Sequence, residues 1–372
     1  MTPASSLGRI RSAKGVWFFK SMALFFDFIN HYTTGMNILN ELTGKFPQED
    51  YPKESRIHPI AGTHPVKGTW YIKREDELGF FTAGGKIRKW RTLVPSLVSK
   101  GVDTALLIGS SQSNNVLGLS LLLIEKGIRP LPILLNSKDP LPRGNRLFLE
   151  LTVGSRQLLF VEREEWHRVE EIALSLQRKL SAEGCKAEVI PEGSYLTEAF
   201  FGALTLAADI LRNEVERGCS FNHIFIEAGT GLQAIALILG LAAASHPGSV
   251  SVLLLADKEE IFLEKLEKWR LVLEEVSGIR LCSSSMHFSL FRPRTQKAFK
   301  PISGKGWEGL VSFAQSSGVW TDPVYSSRLF AEAFSEGKTK EMEGDILVIH
   351  SGGLSSLFGF EKELRACLPS CD

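Results

Sequence analysis

Residues 104–135 read TALLIGSSQSNNVLGLSLLLIEKGIRPLPILL, and the order of residue types in this stretch decides the fold class. Thr104 to Gly109 is a short apolar, β-rich run, and the polar residues Ser110-Ser-Gln-Ser-Asn-Asn115 follow it. An apolar helical pattern then runs from Val116 to about Lys126, and a second β-rich run lies around Leu131 to Leu135. Strand, polar turn, helix and strand make one βαβ unit, the connection that parallel strands require.

Working outward, the alternation continues. A helix near Arg146 to Thr152, a strand near Gln157 to Val161, a helix from about Glu164 to Glu183 and a strand at Ala187 to Ile190 follow. The helix from Glu164 carries Val169, Ile172, Leu176 and Leu180 on one stripe. A second series starts with a helix from Thr197 to about Arg217 and a strand at His223 to Glu227. The turn Ala228-Gly-Thr-Gly231 leads to an apolar helix ending at Ala244, then a strand at Val250 to Leu255 and a charged helix from Lys258 to Val276. A late strand, Ile346 to His350, completes the series, while Ser283 to Gly306 shows no period and reads as irregular chain. The expected fold is α/β, with two domains built as parallel sheets between helical layers, that is, three-layer sandwiches. A chain of 372 residues with 44% hydrophobic residues can fill two such cores.

Composition narrows the partners. A net charge of +1 gives no global electrostatic reason to expect a nucleic acid or a membrane as partner, so a small molecule is the expected ligand. The five cysteines, Cys185, Cys219, Cys282, Cys367 and Cys371, are scattered and form no C-x-x-C pair, as expected of reduced thiols in a cytoplasmic protein without a metal site. Near the N-terminus, Arg9, Arg11 and Lys14 precede the aromatic stretch from Trp17 to Phe26, which Lys20 interrupts. That run is too short to span a bilayer and reads as a helix packing on its own domain or on a partner subunit.

In open parallel sheets ligands sit outside the carboxyl ends of the strands, so the loops after strands are where chemistry belongs. Gly229-Thr-Gly231 joins a strand to a helix, where free N–H groups and absent side chains suit a phosphate or equally a close packing contact. Ser113, Asn114 and Asn115 in the 110–115 turn are good helix caps as well as ligand donors. Ser351-Gly-Gly353 after the last strand has the same form. Neither the G-x-G-x-x-G fingerprint of dinucleotide sites nor a Walker A motif is present.

Two further segments, Tyr71-Ile-Lys-Arg-Glu-Asp76 and Thr82-Ala-Gly-Gly-Lys-Ile-Arg-Lys89, join these loops in one resemblance. The chain resembles the pyridoxal 5'-phosphate (PLP)-dependent group of aminocyclopropane carboxylate deaminase and D-cysteine desulfhydrase, within the tryptophan synthase β-like, fold type II class. The group's K-R-E-D and S-G-N-K-x-R-K resemble the two segments just quoted. Its later motifs resemble Gly109 to Asn114, Pro191-Glu-Gly-Ser194, Gly229 to Gly231, Thr321-Asp-Pro-Val-Tyr325 and Ile349 to Gly353, in the same order.

The resemblance implies that Lys86 carries PLP as an imine and then serves as the base. It implies that Asn114 lies by the cofactor's phenolic oxygen, that Ser113 faces the substrate, and that Gly229, Thr230 and Gly231 hold the phosphate. Tyr325 would be catalytic, and Ser326 would face the ring nitrogen. It also implies a small inserted domain, residues 89–190, within a large cofactor-binding domain formed by residues 1–88 and 191–372, and a homodimer. In the deaminase branch a glutamate follows the matching tyrosine, whereas Ser326 stands here as in desulfhydrase-like members. That points to β-elimination from a small amino acid such as D-cysteine, giving pyruvate, ammonia and sulfide. Aminocyclopropane ring opening is the alternative. A catalytically silent homologue used for binding is a third reading, because Gly85 replaces the family's asparagine, Leu232 and Gln233 replace hydroxyl residues, and Lys300 to Trp307 lacks an expected tyrosine.

Overall fold

A computed structural model describes residues 29–60, 68–79, 83–137, 141–294 and 300–368. The aromatic stretch from Trp17 to Phe26, Thr82 and Cys371 lie outside the described residues. The chain opens with helix α1 (residues 29–44), followed by strands β1 (Ile57–Pro59) and β2 (Trp70–Lys73) and helix α2 (Ile87–Ser99). Then come β3 (Thr104–Ser110), α3 (Asn114–Glu125), β4 (Arg129–Leu135), α4 (Gly144–Val153), β5 (Leu159–Val161), α5 (Val169–Ala182) and β6 (Ala187–Ile190). Helices α6 (Thr197–Ala203) and α7 (Thr205–Arg217) lead into β7 (Phe221–Ala228), α8 (Leu232–Ala243), β8 (Ser249–Leu254) and α9 (Glu259–Ser277). The remaining elements are β9 (Phe288–Phe291), α10 (Lys305–Ser317), α11 (Ser326–Thr339), β10 (Asp345–Ile349) and α12 (Glu361–Arg365).

The strands form two sheets. Residues 104–190 supply a four-stranded parallel sheet in the order β5-β4-β3-β6. The other sheet has the order β1-β2-β10-β7-β8-β9 and is parallel except for the β1–β2 pair. Side-chain alternation explains the layers, since successive residues of a strand point to opposite faces. In β3, Ala105 and Leu107 join the core on the α3 side, while Leu106 and Ile108 meet Val169, Ala173 and Leu180 of α5. In β7, Ile224, Ile226 and Ala228 face α8, whereas Phe225 packs with Leu329, Phe330 and Ala333 of α11. Both sheets are therefore covered on both faces, which is why their strands read as continuous apolar runs.

Strand β4 carries Pro130 and Pro132 although it lies between two neighbours. Strand β5 pairs only with Ile133 to Leu135, so both prolines fall where β4 is still an edge and a missing N–H costs no ladder bond there. Helix α8 is almost wholly apolar because it is enclosed by β7 and by α6, α7 and α9.

Four expectations need correction. Ser283 to Gly306 is not all irregular, since it contains β9, a four-residue edge strand half-buried throughout and so without a two-residue period. The helix expected over 197–217 divides at Leu204 into α6 and α7. The first turn of the helix expected from Glu164 is a 3-10 turn at Trp166–Arg168. Strand β5 starts at Leu159, because Ser155–Gln157 forms another such turn. Among the described residues no helix is long and apolar enough to cross a membrane, and no cluster of three or more His, Cys, Asp or Glu could hold a metal.

The Lys73-Arg-Glu-Asp76 segment has a mechanical role. Arg88 of α2 donates to Glu75 at 2.5 and 2.7 Å and to Asp209 of α7 at 2.7 Å. Lys73 pairs with the same Asp209 carboxylate, and it donates to Asn213 at 2.6 Å and to the Ser55 carbonyl at 2.9 Å. All four charged groups are buried. Burial pushes Asp209 up, but Arg88 and Lys73 outweigh it and hold the carboxyl at about 2. This cluster ties β2, which pairs with β10 in the large sheet, to the helix that begins at the glycine turn.

Candidate functional site

The turn Gly84-Gly85-Lys86 leads directly into α2, and its shape depends on the loop after β10. Gly85 N–H donates to the Ser351 carbonyl at 3.0 Å. A Cβ on Gly84 (φ +49°) would stand 2.2 Å from that same oxygen, and one on Gly352 (φ +90°) would stand 2.7 Å from Gly84 Cα. Two backbones thus meet where only glycine fits. An asparagine at position 85 would press on Glu75, whose Oε2 lies 3.1 Å from the position of a Cβ there.

This turn presents Lys86, whose amine has no hydrogen bond or ion pair among the described residues. Burial lowers the amine below the ordinary lysine range, while Glu227 and Asp322 pull it partly back up. One helical turn on, Lys89 is buried and its Nζ donates to the Gly193 carbonyl at 2.9 Å. Burial, with the Lys86 charge nearby, brings Lys89 down to about 7.

Gly193 is itself packed on the glycine loop after β7, since a Cβ there would lie 2.1 Å from Thr230 Oγ1. The Thr230 carbonyl accepts from the Tyr195 hydroxyl and from Lys265 Nζ at 3.3 Å, so the loop is clamped from behind. Gly231 takes φ +99° to begin α8. The first N–H in the helix ladder is that of Ile235, bonded to Gly231 O at 2.9 Å, so those of Leu232, Gln233 and Ala234 lie outside it. A Cβ on Gly229 would meet Tyr325 Cε1 at 3.0 Å, which sets the tyrosine ring against the loop.

The polar turn after β3 meets the same place from the other sheet. Ser113 Oγ caps α3 by accepting from Val116 N–H at 3.2 Å. Asn114 Oδ1 accepts from Asn145 Nδ2 at 2.7 Å and from Ser355 Oγ at 3.3 Å, and its Nδ2 lies 2.7 Å from where a Cβ on Gly353 would be. Asn115 bonds Trp90 of α2 and Ser194. Ser326 Oγ is fully buried, donates to Asp322 Oδ1 at 2.7 Å and accepts from Asp322 N–H at 2.8 Å. The Asp322 carboxylate also accepts from the N–H groups of Val324, Tyr325 and Ser326, and so caps α11.

The structure thus links Lys86, through Ser351-Gly-Gly353, to Asn114, and links Gly229 to Gly231 with Tyr325. His350, at the end of β10, is consumed structurally: it bonds the Trp320 carbonyl at 2.6 Å and accepts from Gly352 N–H at 3.1 Å. Lys300 to Trp307 contributes instead to clefts of about 620 and 640 Å³ beside α10, whose linings include none of the loop residues above.

Sequence reasoning missed Glu227. It follows Ile226 on β7, on the face of Phe225, and is 8% exposed, with Oε2 lacking a hydrogen-bond partner among the described residues. Burial raises its carboxyl to about 7, against the Ser351 hydroxyl, which acts on it and lowers it. An acid near the carboxyl end of a strand, directly after the apolar run Ile224 to Ile226, was the available signal.

A phosphorylated pyridine aldehyde needs an unprotonated, unpartnered amine and an anion cradle without side chains. The Lys86 amine, held below the ordinary lysine range by burial and without a hydrogen bond or ion pair among the described residues, the N–H groups opening α8 and the glycines at 229 and 231 suit such a group. No protein-family model matches the chain. A Pyrococcus horikoshii protein that carries 1-aminocyclopropane-1-carboxylate deaminase as a provisional name is 26% identical over 337 residues, covering 88% of this chain and 98% of that one. The D-cysteine desulfhydrase of Serratia proteamaculans is 25% identical over 303 residues, covering 79% and 89%. The crystal structure of an ACC deaminase homologue superposes with a TM-score of 0.76 at 25% identity, over 89% of this chain and 99% of that one. The chain has the tryptophan synthase β-like, fold type II architecture and is a distant relative of the aminocyclopropane carboxylate deaminases and D-cysteine desulfhydrases.

Proposed function

We propose that the protein binds PLP through Lys86 and acts as a lyase or deaminase on a small amino acid, with β-elimination as its reaction. The observation that carries this reading is the half-buried Lys86 amine, without a hydrogen bond or ion pair among the described residues, on a turn locked to the Ser351–Gly353 loop. When bound, PLP supplies the electron sink for charge developing at the substrate's α-carbon.

The chain's own residues divide the remaining work in this proposal. Gly229, Thr230 and Gly231 hold the phosphate against the start of α8. Asn114, oriented by Asn145 and Ser355, reaches the cofactor's phenolic oxygen. The N–H groups opening α3 receive the substrate carboxylate, with Ser113 beside them. Lys86, once displaced by substrate, holds the α-proton at Nζ. Tyr325 stands over the glycine loop as a second group near the reacting atoms. Ser326 faces the ring nitrogen; because its hydroxyl is already engaged with Asp322, it offers no strong acid there, which favours direct expulsion of a β-substituent. Residues 89–190 as an inserted small domain, and a homodimer, belong to the same proposal.

A second reading, aminocyclopropane ring opening, is favoured by the likeness to the Pyrococcus protein. Purified protein titrated with PLP should develop a saturable visible absorption band. The loaded protein should then release pyruvate from β-chloroalanine and from D- or L-cysteine. Release of 2-oxobutanoate from aminocyclopropane carboxylate alone would favour the second reading, and absence of any band would sink both.

A further inference from the structure

Lys86 and Glu227 come from different elements and are brought together by one residue. Gly85, next to Lys86, donates its N–H to the Ser351 carbonyl, and the Ser351 hydroxyl acts on the Glu227 carboxyl and lowers it. Lys86 is half-buried and Glu227 buried, and among the described residues both are incompletely satisfied: the lysine amine makes no hydrogen bond or ion pair, and Glu227 Oε2 has no hydrogen-bond partner. An open carboxyl oxygen in a buried position is unfavourable if it does nothing. Placed at the carboxyl end of β7, one residue before the turn into the glycine loop, it sits where ligands are expected in this architecture.

We propose that Glu227 is the proton partner of Lys86: its open Oε2 receives the proton that Nζ sheds before attacking a carbonyl carbon, and returns it when that carbon's oxygen leaves. This rests on the reading of Lys86 as the residue that captures PLP. The proton leaves the ammonium while its electron pair stays on nitrogen, giving a free amine and a carboxylic acid. That pair then bonds the carbonyl carbon. The carbonyl oxygen departs as water, with one proton from nitrogen and one from Glu227, which ends as a carboxylate again. Nothing beyond the amine, the acid and the aldehyde is consumed.

The electrostatics agree with the geometry. Burial disfavours the charged form of both groups and so works against the ion pair, in the direction of proton transfer from the amine to the acid. The charged and titratable groups facing the pair are Asp322 and Tyr325 from the start of α11, with Lys89 acting on the lysine side. The Asp322 carboxyl is engaged by three N–H donors and the Ser326 hydroxyl, whereas Glu227 Oε2 has no hydrogen-bond partner among the described residues.

The test is the rate of PLP capture without substrate, followed by the visible band and by borohydride-fixed mass at Lys86 from pH 5 to 9, which are assay settings of about the range where such groups titrate. Glu227→Gln removes the charge that favours the Lys86 ammonium, so the acid limb of the profile should move down by about one pH unit. The plateau rate should fall about 10²-fold, because no acid returns the proton. Capture with the acid limb unmoved overturns this proposal alone. No capture by the wild-type protein at any pH overturns the Lys86 reading, and this proposal with it. If the glutamine variant does not fold, the infrared carbonyl band of the buried acid decides. Without PLP, it should titrate at higher pH in Lys86→Met than in wild type, and equal midpoints overturn the proposal.

Discussion

Lys86→Ala should abolish the visible band formed with PLP and lower turnover of β-chloroalanine by at least about 10³-fold, with the protein still folded. The two halves of that result have different origins. Turnover needs the amine as attachment point and as base, and the neighbouring buried lysine cannot replace it. Lys89 Nζ is committed to the Gly193 carbonyl, holding the loop that packs on Thr230. Stability is spared because the Lys86 amine makes no hydrogen bond or ion pair among the described residues, so its removal strands no partner. Alanine also relieves the burial of a chargeable group. The melting temperature, measured beside the absorption spectrum, checks this: a drop of more than about 4 °C would mean that Lys86 has a structural task as well.

The second large effect is on folding. Asp209→Ala should destabilise the protein by about 3–5 kcal/mol, read from denaturant titration of the variant against wild type. Asp209 is the shared anion of Lys73, Arg88 and, through Oδ1 at 2.6 Å, Arg212. Removing it leaves Lys73 and Arg88 buried against Glu75 alone, with one negative charge facing two positive ones. Lys73, which burial has already brought down to about 8 despite Asp209, would then lose its strongest reason to stay charged. Because Arg88 lies two residues after Lys86, the same variant should also weaken PLP binding without touching the cofactor. An Asp209→Ala protein of wild-type stability would contradict the strut assigned to this cluster.

Sequence reading and structure part company at identifiable residues. The β3 to β4 unit was legible because its strands are buried on both faces and its helix is apolar, so composition alone separates the elements. The glycine and polar turns after β3, β7 and β10 were legible because such turns follow strands at the end where ligands bind. Strand β2 was not, since Trp70 to Lys73 ends in a lysine whose burial depends on Asp209, some 136 residues away. Strand β9 has no inside-outside contrast, so no pattern marks it. Glu227 was hidden for the opposite reason. It was read as the last residue of a strand, and only the fold shows that its carboxyl shares Ser351 with the Lys86 turn. Ser326 was visible as a hydroxyl in the right motif, but its engagement with Asp322 depends on the local fold at the start of α11.

The central claim is that Lys86 is the residue that takes the cofactor, and one measurement addresses it without depending on substrate. Wild-type protein saturated with PLP, reduced with borohydride and digested, should carry the added mass on one peptide, with fragmentation placing it on Lys86. The same mass on Lys73, Lys89 or Lys265, or an unmodified Lys86 peptide under a full visible band, would contradict it.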